Sequence, residues 1–267
     1  MEMNIFATTI YGLIQGLAEF LPISSSGHLA LLPKVLGIDD PGVAFDLAMH
    51  IGTGMAVVVY FRREIGAMFT GLWEMKSGKP NPMGYYALNI LLSNVATFVI
   101  AIIFKNFAEK QARVPLVIAI NLILFGLLMW VCDRFSKSEK KDETFMGKMA
   151  FKESLFMGLF QGVAVFPGVS RSGSTLAISR LLKIERSAAG RFSFMMSLPV
   201  IFGGMLLHLR NLPPHLHLAP LLWGIVVSFL AGLAAIRFFL YWVIGQGLGI
   251  FALYRLVIAI IILLVLY

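Results

Sequence analysis

A single cysteine, Cys132, stands among 267 residues. That excludes an internal disulfide and any metal cluster built on thiolates. Charge is scarce too: Asp, Glu, Lys and Arg make up 13% of the chain, about half the share usual in soluble domains, which is roughly 25%. Acids are the scarcer sign, 14 against 22 Lys and Arg, for a net charge of +8. What fills the space is apolar: 58% of residues are hydrophobic, and the mean hydropathy is +0.84. Runs of about 20 apolar residues recur, the length that crosses a hydrocarbon core roughly 30 Å thick. The composition excludes a soluble globular domain and predicts an all-α integral membrane protein that crosses the bilayer several times. The basic excess then reads as Lys and Arg in cytoplasmic loops, and no nucleic-acid partner is expected. The N-terminus has neither a basic leader nor an Ala-x-Ala site, so Met1–Leu21 is expected to persist. The fourteen methionines read as packing residues.

Along the chain, the pattern predicts a helix over 4–21, ended by Pro22, and a second short helix over 24–36 with serines available as N-caps. Two short helical pieces around a Ser/Gly break suit a re-entrant hairpin, 4–36. Spans are predicted over 44–61, 85–104 and 115–131, with 62–84 as a polar loop. The polar stretch 133–152, which holds Lys137, Lys140, Lys141 and Lys148, is the seam. A second hairpin (153–182) follows, then spans over 192–209, 218–241 and 248–267. The domain reading is therefore two repeats, 1–133 and 134–267, each a re-entrant hairpin plus three spans, within one membrane domain. An odd number of spans inverts the second repeat relative to the first. With both termini on the non-cytoplasmic side, loop Lys and Arg divide 14 inside to 5 outside, as the positive-inside rule requires. The two hairpin tips then enter from opposite faces and can meet near mid-membrane.

A repeat underlies this reading. Slid by 146 positions, Gly12–His28 falls without a gap on Gly158–Ser174, and nine of the 17 positions are identical. The first copy carries Glu19, Ser24-Ser25-Ser26 and Gly27-His28. The second places Arg171 opposite Ser25, within Pro167-Gly168-Val169-Ser170-Arg171-Ser172-Gly173-Ser174-Thr175. A charge at membrane depth is costly and so points to function, which singles out Glu19. A Gly-rich turn opening a helix aims backbone N–H groups at an anion, and arginine can grip phosphate oxygens bidentately. His28, beside the hydroxyls, is a candidate general acid or base. Ser25 is a candidate nucleophile or an N-cap. Asp46 and His50, four apart on one helix face, are candidates for support or metal binding. Arg180 and Arg191 read either as holders of a second phosphate or as positive-inside charges. His208, His215 and His217 read as a loop cluster before a metal site.

The paired motifs resemble those of the undecaprenyl-diphosphatase, or bacitracin-resistance, family. The first is Gln15-Gly16-Leu17-Ala18-Glu19 with the turn Pro22 to His28; the second is Pro167 to Thr175. Gln15 departs from the glutamate of many members, which shifts weight to Glu19. The resemblance implies hydrolysis of undecaprenyl diphosphate to undecaprenyl phosphate and inorganic phosphate, recycling of the lipid carrier for cell-wall synthesis, and bacitracin resistance. It implies catalytic roles for Glu19, His28, Ser25 and Arg171. It implies substrate contacts from Ser24, Ser26, Ser170, Ser172, Thr175, Gly168 and Gln15. It also implies a divalent cation, Mg²⁺ or Ca²⁺, held by Glu19, and placement in the bacterial inner membrane with the site open to the non-cytoplasmic side. Ser25 or a water would attack. The partners are the polyprenyl diphosphate and membrane lipid; a homodimer is left open. Two rivals stand beside this reading. One is an inverted-repeat transporter or flippase of an anionic polyprenyl lipid. The other is an acid-phosphatase-like lipid phosphatase, whose Lys-x₆-Arg-Pro element the chain lacks.

Overall fold

The computed structural model describes residues 5–111, 114–137, 149–208 and 218–266. Eleven α-helices run through them, and the described residues form no β-sheet. In chain order they are α1 (Ile5–Phe20), α2 (Ser25–Leu36), α3 (Val43–Tyr60), α4 (Arg62–Lys76), α5 (Pro82–Gln111), α6 (Pro115–Phe135), α7 (Phe151–Val163), α8 (Arg171–Leu181), α9 (Arg186–His208), α10 (Leu218–Gln246) and α11 (Gly249–Leu266). Among these, α5, α6, α9 and α10 are long and apolar enough to cross a membrane; α1, α3 and α11 are apolar but shorter. The chain is a multi-pass membrane protein.

Most expected elements appear. The stretch expected as a polar loop over 62–84 does not: Arg62–Lys76 is helical. Its Ile65, Met68, Phe69 and Leu72 recur at helical spacing and line an apolar groove of about 250 Å³ with α5 and α9, so packing supplies what polar composition hid. The helix α5 also outruns its expected span at both ends, and α6 continues to Phe135, past Asp133. The seam lysines Lys140, Lys141 and Lys148 lie outside the described residues, as do His215, His217 and the side chain of His208.

The repeated glycines have a packing reason. A Cβ on Gly12 would come 2.5 Å from the Gly224 carbonyl oxygen, and one on Gly16 would come 2.5 Å from Ala231 Cβ. Their counterparts Gly158 and Gly162 lie as close to the Ser93 backbone and to Ile100. Small residues four apart let backbones approach in a bilayer, where apolar burial gives no drive for helices to associate. The halves are interleaved as a result: α1 packs on α10, and α7 packs on α5. Buried hydroxyls reinforce the second contact, Ser93 donating to the Ser154 carbonyl at 2.8 Å and Thr97 to that of Gly158 at 3.0 Å.

The breaks between α1 and α2 and between α7 and α8 end in the same way. Ser24 and Ser170 hold positive φ, 75° and 71°, and each side chain caps the following helix by accepting from Gly27 N and Gly173 N respectively. A non-glycine residue there is strained by about 1–3 kcal/mol. The cap hydrogen bond offsets part of that.

Candidate active site

The end of α1 meets the start of α8 at Glu19. This carboxylate is 5% exposed, and both of its oxygens are engaged. Oε1 takes Arg171 Nη2 at 3.0 Å and Nε at 3.3 Å. Oε2 accepts from Ser25 Oγ at 2.7 Å and from Gln15 Nε2 at 3.1 Å. His50 Nε2 lies 3.4 Å from the same oxygen. The two repeated segments therefore meet at this carboxylate.

Arg171 is nearly saturated in this state. Besides the two bonds to Oε1, Nη1 donates to the Ser193 carbonyl at 2.9 Å and Nη2 to the Glu19 carbonyl at 3.5 Å. One of its five N–H groups remains for an anion. A bidentate grip on phosphate thus needs Glu19 to yield part of its hold. Ser25 is partly exposed and Ser26 exposed, whereas Ser24 is buried as the cap.

Two imidazoles must be told apart. His50 Nδ1 sits 2.7 Å from the Asp46 carbonyl. A carbonyl can only accept, so Nδ1 carries a hydrogen. Nε2 then faces a carboxylate oxygen, and attraction there requires a second N–H. His50 thus lies between the Asp46 carbonyl and the Glu19 carboxylate. His28 is engaged elsewhere: Nδ1 bonds the Ser24 carbonyl at 2.7 Å, Nε2 bonds Tyr254 Oη at 2.9 Å, and the ring stacks on Tyr254. Thus the imidazole beside the Glu19 carboxylate is that of His50, while His28 lies between the Ser24 carbonyl and Tyr254.

Other expected site residues divide between the cradle and its support. Ser172 Oγ, buried, sits 3.4 Å from the Leu21 carbonyl, linking the second tip to the first. Ser170 is the cap of α8. Thr175 Oγ1 meets Arg171 O, Ser172 O and Ser193 Oγ, so it braces α8 against α9. Gly168 holds φ 86° with its Cα packed on Ile118; it shapes the turn. Arg180 and Arg191 are not phosphate holders here. Arg180 pairs with Asp133 at 2.9 Å, where Arg186 also binds at 2.7 Å, and Arg191 pairs with Glu64 at 3.0 Å. Asp46 contributes its carbonyl through His50.

Sequence reading missed Thr53, Ser193, Tyr254 and Arg255 in the structure around this site. Arg255 did carry a signal, a lone cation amid an apolar run. The others carried none.

A divalent cation was tested against the donors present. Among the described residues no three His, Cys, Asp or Glu side chains cluster. Glu19 is the one carboxylate touching Arg171 and Ser25. Beside it, Gln15 Oε1 is a buried oxygen with no hydrogen-bond partner. That pair suits a cation that draws most of its shell from phosphates and water, as Mg²⁺ does.

The chain matches the family model described as "Bacitracin resistance protein BacA" over residues 8–261. It is 39% identical over 259 residues to an "Undecaprenyl-diphosphatase" of Alteromonas mediterranea, covering 95% of this chain and 96% of that one. It is 41% identical over 261 residues to the "Undecaprenyl-diphosphatase" of Aliivibrio salmonicida, covering 95% of each.

Proposed function

Since the chain belongs to the bacitracin resistance protein BacA family, we propose that its undecaprenyl-diphosphate phosphatase activity resides where Glu19 meets Ser25 and Arg171. The enzyme removes the terminal phosphate of undecaprenyl diphosphate, leaving undecaprenyl phosphate and inorganic phosphate. One observation carries the assignment of roles: Ser25 Oγ donates to Glu19 Oε2 at 2.7 Å while Arg171 holds Oε1. A hydroxyl aligned on a carboxylate, beside a guanidinium, is a nucleophile with its base and an anion binder.

The diphosphate enters with its tail in the bilayer and its phosphates against the N-terminus of α8. Arg171 turns donors from Glu19 to the phosphate oxygens, aided by the first-turn N–H groups. Ser25 Oγ adds to the terminal phosphorus and passes its proton to Glu19. The bond from that phosphorus to the bridging oxygen breaks, Glu19 returns the proton to that oxygen, and the lipid monophosphate leaves. Water then attacks the same phosphorus and gives one proton to Glu19, which returns it to Ser25 Oγ as the Oγ–phosphorus bond breaks and inorganic phosphate leaves. His50 holds Glu19 in place through its Nε2 and keeps a positive charge at the site. Gln15 and Glu19 would hold the divalent cation, Mg²⁺ or Ca²⁺, which when bound neutralises charge on the phosphate oxygens. Every residue in this scheme comes from one chain, so a homodimer is not required for it.

The finer architecture belongs to the same reading. We take the chain as two inverted repeats, 1–133 and 134–267, each a re-entrant hairpin and three spans, in the bacterial inner membrane with the site open to the non-cytoplasmic side. Its support is the matched caps at Ser24 and Ser170, the interleaving of α1 with α10 and α7 with α5, and the distribution of Lys and Arg.

Phosphate release by purified protein in detergent is the test. Wild type should release one phosphate per diphosphate, and Ser25→Ala should lose about a thousandfold or more. Near-wild-type release by Ser25→Ala would make water the attacking group. Binding without release would return the transporter reading.

A further inference from the structure

Arg255, on α11, is fully buried and has no carboxylate within ion-pair reach among the described residues. Its guanidinium is satisfied by backbone carbonyls instead. Nη2 reaches Gly168 O at 2.8 Å, Val169 O at 3.0 Å and Asn121 O at 3.3 Å. Nη1 reaches Pro22 O at 3.4 Å, and Nε reaches Leu122 O at 3.1 Å. These acceptors come from both hairpin turns and from α6. The guanidinium also lies directly beneath the first turn of α8: a Cβ on Gly173 would be 2.7 Å from Nη1. Asn121 Nδ2 adds a bond to the Pro167 carbonyl at 2.8 Å, and the neighbouring Tyr254 holds His28 of the first turn.

We propose that Arg255 is a positioning residue of the phosphate site, aligning both turns through their carbonyls and leaving its own charge behind the anion-facing surface. The inference rests on the reading of the site given above. Its physical basis is the planar trans peptide, in which C=O and the following N–H point in opposite directions. Drawing Val169 C=O down onto Arg255 aims the Ser170 N–H up, toward the substrate. A buried charge without a counter-ion is costly. Carbonyl dipoles solvate this one without cancelling it, so its field reinforces the α8 N-terminus. The substrate's phosphates are the counter-charge that the described residues omit.

The experiment compares wild type, Arg255→Gln and Arg255→Lys for kcat, KM and inhibition by inorganic phosphate, with thermal unfolding recorded for each. Arg255→Gln is expected to weaken phosphate inhibition by about tenfold or more and to lower kcat/KM by about 100-fold. Arg255→Lys keeps the charge but cannot span five carbonyls, so phosphate inhibition should hold within about threefold while kcat stays low. A folded Arg255→Gln with wild-type phosphate inhibition and KM overturns the proposal. Should Arg255→Gln fail to fold, a wild-type kcat for Arg255→Lys overturns it equally. The shift of wild-type unfolding temperature with inorganic phosphate, lost in Arg255→Gln, reads the inference apart from turnover. Wild type that shifts with phosphate yet hydrolyses nothing would sink the reaction scheme and leave the anion site standing.

Discussion

Glu19 and Arg171 are 152 positions apart in sequence and 3.0 Å apart in space. The ion pair joins the end of α1 to the start of α8. It also occupies the arginine until a phosphate competes for it. Removing either partner leaves the other charge buried and uncompensated.

Glu19→Gln should cut phosphate release by about a thousandfold, since the amide cannot accept the Ser25 proton. It should also destabilise the protein by about 3 kcal/mol, because Arg171 loses its counter-charge. A steady-state assay and a thermal unfolding series in detergent check the two effects separately. Hydrolysis at the wild-type rate would remove Glu19 as the base.

For Arg171→Lys the expected loss of transition-state stabilisation is about 2 kcal/mol or more, read from kcat/KM. An ammonium can pair with Glu19 Oε1 but cannot also span Ser193 O and a phosphate. An unchanged rate would take Arg171 out of the site.

The two imidazoles should separate in a double-mutant cycle on kcat/KM. His28→Ala and Tyr254→Phe remove the two ends of one hydrogen bond, so their effects should fall short of additive by about 0.5–3 kcal/mol. His50→Ala should add independently to Tyr254→Phe and cost at least about tenfold by itself. Strong coupling of His50 with Tyr254, and none of His28, would reverse the assignment.

Glycine packing makes a stability prediction with its own control. A Cβ at Gly158 has nowhere to go against the Ser93 backbone, so Gly158→Ala should destabilise by about 1–3 kcal/mol. Gly66 sits exposed in α4 with open space around it, and Gly66→Ala should stabilise by about 0.5–1 kcal/mol. Unfolding temperatures of the two variants, moving in opposite directions, are the measurement.

Chelator should suppress phosphate release, and added Mg²⁺ or Ca²⁺ should restore it, with a larger cation requirement in Gln15→Ala. Full activity in excess chelator would leave Glu19 and Gln15 to proton and hydrogen-bond work alone.

Particular residues show where sequence reading reached and where it stopped. The serines opening 24–36 announce a cap because a cap is a contact within one turn of chain, and Ser24 is the one that serves. The 62–84 segment misled because α4 owes its helix to Ile65, Met68, Phe69 and Leu72 meeting α5, a partner that composition does not reveal. His28 adjoins the serines in sequence, which says nothing of what its ring meets in space. Its ring is instead drawn to Tyr254, 226 positions away, and His50, on another helix, takes the place at Glu19.

What the amino-acid order determined by itself was the bilayer as solvent, the two repeated helix breaks and the candidacy of one acid and one arginine. Apolar run length, local capping and the cost of a charge in hydrocarbon are all fixed by nearby residues. The fold alone decided which imidazole faces the carboxylate, that α1 lies against α10 and α7 against α5, and that Arg255 sits beneath both turns. Those outcomes depend on how closely small residues let distant helices approach and on which way each side chain then points, and no stretch of sequence carries that information locally.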